Sequence, residues 1–107
     1  MIIMKFGGTS LATAARLQQV ATRIIHAEEA PCVVLSAMGD TTNQLLATAA
    51  AAGAGHNAEA LKIIADIFAN TRAVIDELLE TPAAITVALA QLRTDTELLV
   101  KGISRTA

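Results

Sequence analysis

The sequence has no tryptophan, no tyrosine, one cysteine, two prolines and two phenylalanines. Each scarcity removes a class of explanation. With 2% aromatic and 53% hydrophobic residues, a disordered tail is excluded, and the core has to be aliphatic, built from Ala, Leu, Ile and Val. One cysteine, Cys32, excludes an internal disulfide, and inside the run "CVVL" it is expected to be a buried, reduced thiol. With His26 and His56 far apart, no metal-ligand spacing exists. Lys5, Arg16 and Arg23 are the only basic residues before Lys62, and the formal charge is −2. That balance speaks against a nucleic-acid surface, and no run of charge suggests a membrane surface. No apolar stretch approaches the ~18 residues of a membrane span. "MIIMKF" is too short for a signal-peptide core and has no basic region ahead of it. The expectation is a soluble, cytoplasmic protein.

What is present has a clear order. Met1 to Phe6 is expected to form a strand buried on both faces, broken by Gly7 and Gly8. Ser10 is the expected N-cap of a helix whose apolar positions, Leu11, Ala14, Leu17, Val20, Ala21 and Ile24, recur every three or four residues. Pro31 ends that segment, and "CVVLS" follows as a second strand of the parallel type. After the polar loop "SAMGDTTN", with Thr42 or Asn43 as cap, an alanine-rich helix runs to Gly53 and Gly55. Asn57 then caps a long helix with an apolar stripe at Leu61, Ile64, Phe68, Val74, Ile75 and Leu78. Thr81 and Pro82 start another, with Ile85, Leu89, Leu92, Leu99 and Ile103 in its stripe. The two are expected to form an antiparallel hairpin. Residues 1–56 thus form a βαβ-α portion and residues 57–107 a helical hairpin. Two parallel strands leave open edges on an apolar element, so the chain looks like the opening of a larger α/β domain, or a subunit that completes its sheet with a partner.

Chemistry is expected where "GGTS" and "SAMGDTTN" leave the carboxyl ends of neighbouring parallel strands. Both loops open helices, whose first N–H groups bind anions. Adjacent glycines allow positive φ and close approach of a phosphate, and Lys5 brings a full positive charge. Neither loop has the spacing of the known phosphate motifs, so a plain strand-helix turn with a snorkelling lysine stays open as an alternative. Gly53, Gly55 and Ala58 match a dinucleotide fingerprint but follow a helix instead of a strand, which removes its meaning. His26 is expected to complement a helix dipole and His56 to be solvated.

"MKFGGTSLATAARLQQVATRI" followed by "VVLSAMGDTTNQLL" closely resembles the start of the aspartate kinases, in the amino-acid kinase fold. The likeness is strong to Leu46 and looser afterwards. It implies an α/β fold, the opening βαβ portion of a three-layer sandwich followed by the helical hairpin. It also implies transfer of the γ-phosphoryl group of ATP to the side-chain carboxylate of L-aspartate, within lysine and threonine biosynthesis. Carried over by matching position, Lys5, Gly7 and Gly8 contact the ATP phosphates, Lys5 being catalytic. Thr9 and Ser10 finish the loop, Ser36 is a phosphate-side serine and Thr42 contacts the amino acid. No residue is a direct metal ligand, and Mg²⁺ arrives on the nucleotide's phosphates. Later family segments for nucleotide and aspartate are missing, so the chain is expected to be an N-terminal fragment, inactive alone and self-associating, with a homo-oligomeric parent. A non-catalytic helical assembly module and another amino-acid kinase are the competing readings.

Overall fold

The computed structural model describes residues 1–107, in the order strand, 3-10 turn, helix, strand and three helices. It divides into two compact units, Met1–Thr42 and Asn43–Ala107. No helix is long and apolar enough to cross a membrane.

In the first unit, β1 (Ile3–Phe6) pairs in parallel with β2 (Cys32–Leu35), with Ile3 opposite Cys32 and Phe6 opposite Leu35. The ladder continues past the strands, from Cys32 N–H to the Ile2 carbonyl at 2.8 Å and from Ser36 N–H to the Phe6 carbonyl at 3.0 Å. α1 (Ala14–Ile25) connects the strands. Phe6, Leu11 and Val20 are buried together, with Met4, Leu17, Ile24, Val33 and Met38 packed against them. Strand alternation therefore sends Met4, Phe6 and Val33 toward α1 and leaves Ile3, Lys5, Cys32 and Val34 on the other face.

That other face is uncovered, which corrects the expectation of a strand buried on both sides: Ile3 is 65% exposed. The same face corrects Cys32, which is exposed there rather than buried. Ser10 is not the helix cap. Residues Gly8–Leu11 form a separate 3-10 turn, and α1 starts after Thr13, whose hydroxyl accepts the Arg16 N–H at 3.2 Å. At the other end, the His26 N–H reaches the Thr22 carbonyl at 3.1 Å, and Nδ1 of its ring donates to the same carbonyl at 2.8 Å.

The second unit is helical. α2 (Thr41–Gly53) enters it from Asn43 onward, followed by α3 (Asn57–Leu78) and α4 (Ala83–Arg105). Ala51, Ala52, Ala60, Ile64, Ile67, Phe68 and Val100 form its buried core, with Leu61, Ile63 and Leu89 alongside. Small alanines let these helices approach closely, and Ile64 is the largest side chain with no exposure. α3 and α4 run antiparallel: Gly55 and Asn57 adjoin Lys101 to Arg105 at one end, while Phe68 and Arg72 adjoin Thr86 to Arg93 at the other.

Two expectations fail here. Asn57 is the first residue of α3, not its cap, and His56 at the cap position makes no side-chain capping bond. Most of the stripe expected to bury α4 faces outward: Ile85, Leu92 and Leu99 are 50%, 56% and 65% exposed. Of that stripe Leu89 does pack inward, joined by Val100, because the contact face passes through Thr86, Leu89, Arg93 and Val100, where smaller and mixed residues meet α3.

Two stability outcomes follow from these placements. Ile64→Ala should destabilise the helical unit by about 3 kcal/mol in urea unfolding, the cost of a buried aliphatic cavity. Thr13→Ala should lower the stability of the first unit by about 1 kcal/mol, whereas Ser10→Ala leaves it unchanged. Equal effects of the two would contradict the cap assignment.

Candidate functional site

Both strands end at the same edge of the sheet. From β1 the chain passes through Gly7, in extended conformation at φ −80° and ψ 173°, into the 3-10 turn. From β2 it passes through Ser36, Ala37, Met38 and Gly39 into the first turn of α2. The two loops are tied by one backbone hydrogen bond, Gly39 N–H to the Gly8 carbonyl at 3.1 Å.

That bond explains Gly8 differently from the expectation. Neither Gly7 nor Gly8 has positive φ; Gly39, at +57°, does. A Cβ on Gly8 would lie 2.8 Å from the Gly39 carbonyl oxygen and 3.2 Å from that of Ala37. Gly8 is therefore small so that the two loops can close on each other. Gly7 has open space where its Cβ would be, and it is the glycine that leaves the backbone approachable. Gly39 supplies the left-handed turn that aims its N–H at Gly8.

The second loop is fixed from within as well. The Thr41 hydroxyl and the Thr41 N–H both donate to the Met38 carbonyl. Neither Thr42 nor Asn43 is the cap that the sequence suggested, since α2 already begins at Thr41. The turn after β1 is held by Ser10 N–H to Gly7 O at 3.1 Å and by the Arg16 guanidinium, which donates to the Thr9 carbonyl at 2.6 Å.

Of the residues proposed from sequence, Lys5, Gly7, Gly8, Thr9, Ser10 and Ser36 all lie at this edge. Lys5 is exposed on the uncovered sheet face, opposite Val34, and its ammonium forms no ion pair. The side chains of Thr9, Ser10 and Ser36 are exposed and unengaged. Thr42 stands apart in kind: it is exposed in the first turn of α2, three residues beyond Gly39. Arg16, Gly39 and Thr41 were missed by the sequence reading. A left-handed glycine before a helix start was a usable signal for Gly39; a guanidinium reaching back seven residues leaves none. His56 pairs with Glu59 at 3.5 Å on the surface, far in sequence from this edge.

An edge with unpaired amides, exposed hydroxyls and one free cation suits an anion. No three His, Cys, Asp or Glu side chains come together in the chain.

Residues 1–99 match the profile of the amino acid kinase family. The chain belongs to that family. Among its relatives, Aspartokinase 1, chloroplastic, of Arabidopsis thaliana is 40% identical over 108 residues, covering 95% of this chain and 18% of the relative. The aspartokinase of Corynebacterium glutamicum is 48% identical over 54 residues, covering 48% of the chain and 13% of the relative. That of Thermus thermophilus is 44% identical over 52 residues, 46% of the chain and 13% of the relative. This amino acid kinase chain thus spans less than a fifth of the length of these relatives.

The glycines of the edge should separate by substitution. Gly8→Ala is expected to destabilise the first unit by about 2 kcal/mol, because the new methyl meets backbone oxygens that cannot rotate away. Gly7→Ala should be neutral within ~0.5 kcal/mol. Urea unfolding read in the first unit checks both, and a tolerated Gly8→Ala would refute the loop closure as the reason for glycine.

Proposed function

We propose that this chain supplies the phosphate-binding edge of an aspartate kinase, ATP + L-aspartate giving ADP + 4-phospho-L-aspartate. The observation that carries the reading is the locked pair of loops beside an unpaired Lys5, in a chain similar to one plant aspartokinase along 95% of its length. Lys5 neutralises the transferring phosphoryl group, and the amides of the glycine turn bind phosphate oxygens. Gly7 keeps the approach open, and the hydroxyls of Thr9, Ser10 and Ser36 add polar contacts. Thr42, in the first turn of α2, faces the amino-acid substrate.

The chemistry asks little more of the protein. A substrate carboxyl with an unperturbed pKa near ~3.9 is already a nucleophile at neutral pH, so no general base is needed. Catalysis is then positioning and charge neutralisation. Mg²⁺ belongs to this reading as a companion of the nucleotide's phosphates. The reading includes a cytoplasmic setting, a role in lysine and threonine biosynthesis, and a parent whose three-layer sandwich extends the sheet on β1 and β2. Exposed Ile85, Leu92 and Leu99 favour a second role for α4, as the surface through which copies of the chain associate.

Mg·ATP titrated into the ¹⁵N-labelled chain should shift the amides of Gly8 and Thr9, and Lys5→Ala should weaken that binding without altering the circular dichroism. In a complete kinase, Lys5→Ala should lower kcat/KM by roughly 10²–10³-fold, the loss expected for one transition-state charge contact. The isolated chain should show no aspartate-dependent ADP release, and sedimentation equilibrium should show self-association. Amides that ignore Mg·ATP, or near-normal turnover in Lys5→Ala, would contradict the phosphate role.

A further inference from the structure

We propose that Arg16 is a positioning residue for the glycine turn: its guanidinium holds the Thr9 carbonyl and so sets the direction of the turn's free N–H groups. It does this without touching the ligand. The functional consequence rests on the phosphate reading of this edge; the holding role does not.

The peptide unit between Thr9 and Ser10 is pinned at both ends. Its N–H donates to the Gly7 carbonyl at 3.1 Å, and its carbonyl accepts from Nη1 of Arg16 at 2.6 Å. The backbone alternative for that carbonyl, the Ala12 N–H, is 3.4 Å away and weak. A single 3-10 turn has poor internal hydrogen-bond geometry, so a short, charged donor from outside decides how it sits. With that peptide fixed, the amides of Gly8 and Thr9 remain as the donors that no backbone acceptor takes, as the first amides of a helical turn must.

Arg16 is itself fixed at its base. Its own N–H donates to the Thr13 cap, which places its Cα in the first turn of α1. From there the side chain reaches Thr9, and Arg16 lines a depression of about 500 Å³ together with Phe6, Ser10 and Thr13. No carboxylate pairs with Arg16. Its engagement is with the turn alone, and its planar fork suits a fixed carbonyl better than a flexible ammonium would.

Amide hydrogen exchange on the ¹⁵N-labelled chain, without ligand, tests the holding role. Arg16→Met should speed exchange at Ser10 by roughly tenfold, while Val20 and Ile24 in α1 keep their protection. Arg16→Lys, which retains one donor, should recover part of the loss. In the unmodified chain the Arg16 guanidinium should give resolved Nη resonances from hindered rotation, a readout that does not depend on any variant folding. With Mg·ATP added, the shifts at Gly8 and Thr9 should weaken in Arg16→Met and return partly in Arg16→Lys. Unchanged Ser10 exchange in Arg16→Met overturns the proposal, and if Mg·ATP binding is nevertheless lost, Arg16 contacts the nucleotide directly. A freely rotating guanidinium also overturns it. Faster Ser10 exchange in a chain that ignores Mg·ATP supports the holding role and sinks the nucleotide reading instead.

Discussion

A single backbone hydrogen bond, from Gly39 to Gly8, joins the loops that follow the two parallel strands. Neighbouring parallel strands bring their carboxyl ends to one edge but do not by themselves lock what comes after. Here the lock needs a residue without Cβ on one side and a left-handed glycine on the other. That contact holds the 3-10 turn on one side against the Thr41 start of α2 on the other. The parallel ladder, extended by Ser36 N–H to Phe6 O, brings the loops near enough for the bond to form.

The sheet also separates two tasks by face. Met4, Phe6 and Val33 hold α1 in place, while Lys5 projects from the uncovered face, where its charge stays solvated. An ammonium between two core-facing residues would be costly if the strand were buried on both sides. Alternation lets one four-residue strand serve packing and electrostatics at once.

The elements themselves were legible in the sequence because their periodicities are strong. The two strands, the helix between them and the long pair of helices all appear where apolar spacing placed them. What escaped notice depends on neighbours that a pattern does not name. Cys32 looks like core from its run of Val and Leu, yet its burial needs a layer over the second face. The α4 stripe of Ile85, Leu92 and Leu99 has helical spacing, but spacing cannot say which face meets α3. Ser10 lost the cap to Thr13 because a 3-10 turn intervenes, and hydroxyl residues in a row give no preference between them. Gly8 was read for ligand access, whereas its steric partner is the loop of Ala37 and Gly39, distant in the chain.

The peptide of Thr9 and Ser10, held at both ends, bears on where disorder is lost. A loose glycine loop must give up conformational entropy each time a ligand orders it, and that loss subtracts from affinity. In this chain the ordering is completed during folding, when Arg16 and Gly7 take the two ends of the peptide. On the phosphate reading proposed above, an anion at the amides of Gly8 and Thr9 would meet donors already aimed, and its binding free energy would carry little of the loop's entropy.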